Sequence, residues 1–175
     1  EIPGITKENI NSLHYHHVKG PDLTNKTKEV LSQCEVNYFQ STLDHTPTLS
    51  SNYIEVTTGG SVVRCRKVFD SRPPTFSKLQ KSQSSLYQSF YGWKIKTDQP
   101  VFDTSSMVLM DFNIPQHDAT QFVYVLPFES DTALVELTRF GKEILTKEEA
   151  QTILQEHVGQ LGTTFEKLEE EVGVI

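Results

Sequence analysis

The sequence lacks the short motifs that mark many enzyme sites. It contains no Gly-x-Gly-x-x-Gly turn, no Gly-x-x-x-x-Gly-Lys loop, no His-Glu-x-x-His pair and no Gly-x-Ser-x-Gly elbow. The first two cradle nucleotide phosphates, and the other two hold a catalytic zinc ion or a nucleophilic serine. These absences argue against the common self-contained nucleotide-binding and hydrolase sites.

Basic residues and cysteines are also few. The chain has 16 Lys and Arg against 23 Asp and Glu, and its net charge of -7 repels nucleic-acid backbones. We therefore expect no nucleic-acid partner. The two cysteines, Cys34 and Cys65, lack the paired spacing of metal sites, and we interpret them as reduced thiols of a cytoplasmic protein.

Long apolar runs are missing, since no stretch approaches the roughly 20 apolar residues that cross a bilayer. Aromatic residues, in contrast, are plentiful: 10 Phe and 6 Tyr contribute to a hydrophobic content of 36%, enough to build a core in 175 residues. The chain begins at Glu1 without an initiator Met and stops abruptly at Ile175. We expect residues 1–175 to form a single domain that is a fragment of a longer protein.

Three segments predict helices. Apolar residues at helical spacing indicate one over residues 23–36. Thr146 and Glu149 fit a capping box, so a second helix is expected from there to about residue 155 or 157. An acidic third helix is predicted over residues 164–171.

Alternating and β-rich runs predict strands. Two such runs flank Gly59-Gly60, as in a hairpin whose two-residue turn needs positive φ. Four further strands are expected over residues 88–97, 106–112, 121–128 and 133–140. The spacing of the last three is typical of an antiparallel meander. The fold class is therefore predicted to be α+β, with a mixed, largely antiparallel sheet and flanking helices.

Four segments of the second half carry a resemblance to a known family. In chain order they are Tyr87-Gln88-Ser89-Phe90-Tyr91-Gly92, Met110-Asp111-Phe112, Phe122-Val123-Tyr124-Val125-Leu126-Pro127-Phe128 and Leu134-Val135-Glu136-Leu137-Thr138. This order resembles the lycopene cyclase family of flavoproteins, which carries a Gln-x-x-x-Gly strand, a Met-Asp segment, a Phe-x-Tyr-x-x-Pro-Phe strand and a Glu-Glu-Thr or Glu-Asp-Thr signature. The resemblance covers about residues 60–140.

The resemblance implies a fold, a reaction and a cofactor. The fold would be that of the substrate domain of hydroxylase-like flavoproteins, and the reaction the acid-initiated cyclisation of the ψ ends of lycopene. Lycopene or a related apolar isoprenoid would be the substrate. FAD would be the cofactor of the intact enzyme, although the glycine-rich turn that binds it is absent here. The intact enzyme would contact the cytoplasmic membrane peripherally, and the fragment alone is expected to be inactive.

Glu136 is the candidate acid of this reaction. It occupies the first acidic position of the signature and lies between apolar residues, where burial would favour its protonated form. The alternative is a glutamate exposed to solvent at a sheet edge. Leu137 stands where the family has its second acid. The chain therefore departs from any mechanism that needs both acids.

Asp111 matches the Met-Asp position, and the resemblance implies that it positions Glu136 or a water, or helps to hold a cation. The alternative is a strand-end aspartate that accepts backbone hydrogen bonds. Phe112-Asn113 stand where the family has an arginine after this motif. Five aromatic residues are candidates to line an apolar substrate slot or, alternatively, to form ordinary sheet core: Tyr91, Trp93, Phe122, Tyr124 and Phe128.

Two remaining sets have weaker signals. Asp70 and Arg72 resemble the family's Asp-Ala-Arg segment and are expected near the flavin, the alternative being an ion pair in a turn. The run His14-Tyr15-His16-His17 contains adjacent imidazoles, which seldom converge on a metal without carboxylates. We therefore expect a surface cluster and no metal.

Two other functions stay open. An FAD-dependent monooxygenase or isoprenoid reductase would keep the same scaffold and carry redox chemistry. A non-enzymatic module that binds an apolar ligand or a partner would predict a gene that starts near Glu1.

Overall fold

A computed structural model of the chain describes residues 14–72 and 86–175. These residues form two compact units, one over residues 14–72 and one over residues 86–175. The α+β class is confirmed, because the described residues contain two helices and antiparallel sheets of three and five strands. That residues 1–175 are one domain of a longer protein stays a prediction. Neither described helix is long and apolar enough to cross a membrane.

The first unit begins with an exposed helix, α1, over Gly20–Leu31. It starts before the predicted residue 23 because Pro21, whose fixed φ suits the first turn of a helix, follows Gly20. It ends at Leu31, before the predicted residue 36. The next residue, Ser32, donates a hydrogen bond from Oγ to the Glu29 carbonyl at 2.6 Å. No side chain of α1 is buried.

The predicted hairpin is confirmed in the same unit. Its strands are β2 (Ile54–Thr58) and β3 (Ser61–Cys65). Gly59 has φ 53° and Gly60 has φ 75°, the left-handed values that a two-residue hairpin turn requires. A short strand, β1 (Thr48–Leu49), pairs with β2 and completes a three-stranded sheet.

The second unit is built on a five-stranded antiparallel sheet. Its strands are β4 (Tyr87–Thr97), β5 (Val108–Asp111), β6 (Thr120–Glu129), β7 (Thr132–Gly141) and β8 (Phe165–Val174). Their order across the sheet is β5-β6-β7-β4-β8. The four predicted strands are therefore confirmed, and β5, β6 and β7 form a meander. β4 lies on the other side of β7 and pairs with it.

The predicted helix over residues 164–171 is wrong, because this segment belongs to β8. Its run of glutamates favours a helix locally, but the segment pairs with β4 along its whole length. This pairing satisfies the backbone N–H and C=O groups on the open side of β4, which outweighs local propensity. Gly173 fits the pairing as well, since a Cβ there would overlap the Phe90 ring.

The second helix, α2 (Lys147–Gly159), packs on one face of the five-stranded sheet. The predicted capping box is confirmed: Thr146 Oγ1 accepts a hydrogen bond from Glu149 N at 3.3 Å, and Glu149 Oε2 accepts one from Thr146 N at 3.0 Å. The helix buries four side chains against the strands, namely Ala150, Ile153, Leu154 and Val158. Together they cover one side of the sheet.

Loss of this cap is expected to lower the free energy of unfolding by about 1 kcal/mol in Thr146→Ala. The variant removes the hydroxyl that accepts a hydrogen bond from the Glu149 backbone. Chemical denaturation measures the loss, with Thr152→Ala as the control, because Thr152 is an exposed threonine inside the same helix. The control is expected to change stability by less than about 0.5 kcal/mol. Equal losses in the two variants would contradict the role of the cap.

Candidate functional site

The five-stranded sheet has two chemically different faces. Side chains alternate along a strand, and residues directly opposite each other on antiparallel strands point to the same side. The face that packs on α2 carries the apolar core: Tyr91, Trp93, Ile95, Val123, Val135 and Leu137. Glu136 lies between two of these core residues on β7 and therefore points to the other side. We call that side the Glu136 face; in register on it lie Phe90, Gly92, Lys94, Phe122, Tyr124, Leu134, Glu136 and Thr138.

Glu136 sits at the centre of its face. It is directly opposite Gly92 of β4 on one side and Tyr124 of β6 on the other. Thr138 donates a hydrogen bond from Oγ1 to Glu136 Oε1 at 3.1 Å. On the far side of Gly92, Glu171 of β8 is in register with the same row, and its carboxyl group acts on that of Glu136.

These surroundings raise the pKa of Glu136 to about 7. Burial is the largest cause, because loss of water penalises the charged carboxylate more than the neutral acid. The hydrogen bond with Glu171 and the charge of that residue raise the pKa further, whereas the hydrogen bond from Thr138 lowers it. Glu136 is thus a half-buried acid on a central strand, and the alternative of a glutamate at a sheet edge does not hold.

Through Glu136, the stability of the fold is expected to fall as the pH rises from about 4.5 to about 7. Over this range the carboxyl group loses its proton in the unfolded chain but keeps it in the folded chain, so the folded state binds more protons. Below this range Glu136 is protonated in both the folded and the unfolded chain. Above it Glu136 is ionised in both, and the loss of folding stability has reached its full size. Denaturation at a series of pH values should show a flatter profile for Glu136→Gln than for the wild type. Parallel profiles would contradict the raised pKa.

Three of the five aromatic candidates share the Glu136 face. The rings of Phe122 and Tyr124 meet edge to face with their centroids 5.1 Å apart, and Tyr124 is the residue directly across from Glu136. Phe128 lies at the same side, because its ring centroid is 5.8 Å from Nζ of Lys94. An acid and aromatic rings therefore occur together on one face.

Tyr91 and Trp93 lie on the opposite face. Their exposed fractions are 3% and 5%, and both pack in the core against α2. The Trp93 ring also stacks with Phe165 at a centroid distance of 6.2 Å. The structure does not bring these two residues to Glu136, so their placement favours the alternative of ordinary sheet core.

Asp111 does not approach Glu136 either. It is opposite Val123 of β6, which is buried in the core on the α2 side. There its charge acts on His157 of α2. Burial lowers the pKa of His157, and the charge of Asp111 offsets part of that shift. Asp111 Oδ1 also accepts a hydrogen bond from the backbone N–H of Asn113 at 2.9 Å. This placement favours the strand-end alternative and not a role in positioning Glu136.

Asp70 and Arg72 bind each other. Arg72 Nη2 lies 2.7 Å from Asp70 Oδ2, and the Arg72 backbone N–H donates to Asp70 Oδ1 at 3.1 Å. The side-chain and backbone hydrogen bonds of Arg72 lower the pKa of Asp70 to about 2. Asp70 and Arg72 thus form the ion pair that was the alternative expectation, and their place near a flavin stays a prediction.

The histidine cluster lies before α1, where His14, His16 and His17 are exposed. In residues 14–72 and 86–175, no three His, Cys, Asp or Glu side chains come together as a metal site would require. The expectation of no metal stays a prediction.

Sequence reasoning missed two residues of the candidate site. Glu171 was not predicted as a site residue, because its glutamate-rich surroundings predict a helix in which its side chain would face solvent. Gly92 carried a signal, because a glycine inside an alternating strand indicates a bulge or the close approach of another group. The group that approaches it is the Glu171 side chain.

Comparisons with known proteins identify the family. The family model described as lycopene cyclase protein matches residues 3–175. A lycopene beta-cyclase of Pseudescherichia vulneris is 33% identical over 82 residues, which make up 47% of this chain and 20% of that protein. A lycopene beta-cyclase of Paracoccus sp. (strain N81106 / MBIC 01143) is 36% identical over 55 residues, 31% of this chain and 14% of that protein. The matched stretches thus span a fifth or less of these curated relatives. Since the family model matches nearly the whole chain, the chain belongs to the lycopene cyclase family.

Proposed function

We propose that the protein is a lycopene cyclase of carotenoid biosynthesis, which closes the ψ ends of lycopene into rings. The supporting observation is the state of Glu136. Its carboxyl group is half-buried on a central strand, its pKa is raised to about 7, and aromatic side chains lie on the same face. An acid held near neutrality is what a proton-initiated cyclisation needs.

The proposed reaction begins with a proton transfer. Glu136 in its acid form donates a proton to a terminal double bond of the substrate. The resulting cation is attacked by a neighbouring double bond, which closes a six-membered ring and moves the positive charge into the ring. A proton then leaves a ring carbon and a new double bond forms. No electron is gained or lost overall, so the reaction is an isomerisation.

Phe122 and Tyr124 are proposed to stabilise the cation. The face of an aromatic ring carries partial negative charge and attracts cations without reacting with them. Tyr124 is directly opposite Glu136, so the positive charge would form beside its ring. Phe122 and Phe128 extend the aromatic surface along the same strand.

The substrate, the cofactor and the location follow from the family and are proposals. Lycopene or a related apolar isoprenoid is the proposed substrate, and its hydrophobicity favours peripheral contact of the enzyme with the cytoplasmic membrane. FAD binding stays a prediction. No described residue is assigned to the flavin, and no step of the proposed reaction passes through it.

The mass of the product tests this proposal against redox chemistry. The product of the complete gene, expressed in lycopene-accumulating cells, is expected to yield cyclic carotenes with the same mass as lycopene. When lycopene is supplied to a lysate of these cells in D₂O, each new ring should gain one deuterium through the exchanged carboxyl group. Added oxygen would indicate a monooxygenase, two added hydrogens a reductase, and unchanged lycopene would contradict a cyclase.

A further inference from the structure

A second carboxyl group reaches Glu136 across a glycine. Glu136, Gly92 and Glu171 are in register on the adjacent strands β7, β4 and β8. Since neighbouring strands lie about 4.8 Å apart, the outer two backbones are separated by roughly 10 Å, and a side chain on the middle strand would normally stand between them. Gly92 has none. A Cβ at Gly92 would lie 2.9 Å from Glu171 Cγ and 3.0 Å from Glu171 Oε1, so the Glu171 side chain occupies that space.

The described lysines of this face already have partners. Lys94, the next residue of β4 on the Glu136 face, pairs with Glu169 at 2.8 Å. Lys96, farther along the same strand, pairs with Asp131 at 3.4 Å. Two ionised carboxylates close together would repel each other, and neither lysine contributes to the pKa of Glu136.

The other groups that face Glu136 do not supply a positive charge. On β6 the residue opposite is Tyr124, and on β7 the nearest donor is the neutral hydroxyl of Thr138. On β8 the carboxyl groups of Glu169 and Glu171 face it. A proton shared between Glu136 and Glu171 is therefore the arrangement that allows their contact.

We propose that Glu171 is a positioning residue of this site: its carboxylate accepts a hydrogen bond from the Glu136 carboxyl across Gly92 and holds Glu136 in the acid form that protonates the substrate. The catalytic meaning of this pair rests on the proposed function, whereas the shared proton does not. Burial decides which group keeps the proton. Glu136 is half-buried and Glu171 is exposed, so the neutral form is favoured on Glu136.

This pair also accounts for the signature's missing second acid. Leu137 is 0% exposed and points into the core on the α2 side, so a carboxylate at that position could not reach the Glu136 face without leaving its strand geometry. Glu171 brings a second carboxyl group to Glu136 from another strand.

Two variants of the full-length protein test the proposal by different means. Glu171→Gln removes the second carboxylate, and Gly92→Ala keeps both carboxyl groups but pushes the Glu171 side chain away. The titration of Glu136 is followed by infrared spectroscopy through the C=O band that Glu136→Gln abolishes. In both variants the midpoint is expected to fall by about one pH unit or more, which lowers the protonated fraction at pH 7 roughly fivefold. The alkaline side of the pH profile of cyclisation, where the acid form of Glu136 is lost, should move to lower pH with it.

The matched control is Glu166→Gln. It removes one carboxylate from the same strand, opposite Lys96, and is expected to leave the midpoint unchanged. An unchanged midpoint in Glu171→Gln, or an equal shift in Glu166→Gln, would overturn the proposal. If the wild type makes no cyclic carotene while Glu171→Gln still lowers the midpoint, the proposed function fails and the shared proton stands.

Discussion

Lycopene-accumulating cells that express Glu136→Gln are expected to retain lycopene, whereas cells that express the wild type make cyclic carotenes. The amide has nearly the shape of the acid but cannot donate a proton of comparable acidity to a double bond. A positioned general acid typically contributes about 10²–10⁴-fold to a rate, and a loss of that size is expected here. Pigment analysis of cells that express the full-length protein measures it.

A matched variant serves as the control for a general effect of charge or expression. Glu129→Gln removes a carboxylate at the exposed end of β6, opposite Thr132 and so four positions along β7 from Glu136, and should retain wild-type pigment composition. Glu136→Asp keeps an acid on a shorter side chain and should retain part of the activity. Full conversion of lycopene by Glu136→Gln at wild-type expression would remove Glu136 from the mechanism.

Leu137→Glu is expected to destabilise the protein strongly, although it restores the second acid of the family signature. Leu137 is 0% exposed and packs in the core between the sheet and α2. An uncompensated charge in such a place costs about 3–5 kcal/mol. Since the total stability of a domain is about 5–15 kcal/mol, this is a large share of it. Chemical denaturation measures the loss.

Leu168→Glu is the control for this substitution. Leu168 is 43% exposed on β8, and a charge there is expected to change stability by less than about 0.5 kcal/mol. Leu137→Glu should also bring no gain in cyclisation, because residue 137 points away from the Glu136 face. A variant as stable as the wild type would contradict the assignment of the two faces.

Local signals were sufficient for much of the fold. Gly59-Gly60 specified a turn because only positive φ closes a two-residue hairpin, and Thr146 with Glu149 specified the start of α2 because the two groups cap each other. Residues 164–171 were predicted wrongly because their partner, β4, is some 70 positions away in sequence. Glutamate propensity is local, whereas strand pairing depends on a neighbour that a local pattern does not contain.

The site was predictable only in part, for a similar reason. Alternation along one strand shows which residues share a side, but the relation between strands depends on register. The register places Tyr124 with Glu136 and separates Asp111 and Trp93 from it. The pairing of Glu136 with Glu171 could not be predicted, because it needs both the β8 strand and the empty position at Gly92.

The protonation state of Glu136 near neutral pH tests the central claim most directly. Infrared difference spectra between wild type and Glu136→Gln, recorded from about pH 4 to about pH 9, isolate the C=O band of this one carboxylic acid. The expected result is a band that persists at neutral pH and titrates with a midpoint of about 7. A midpoint near the ordinary value of 4.5 would show an ionised glutamate at neutral pH and would contradict its role as the proton donor.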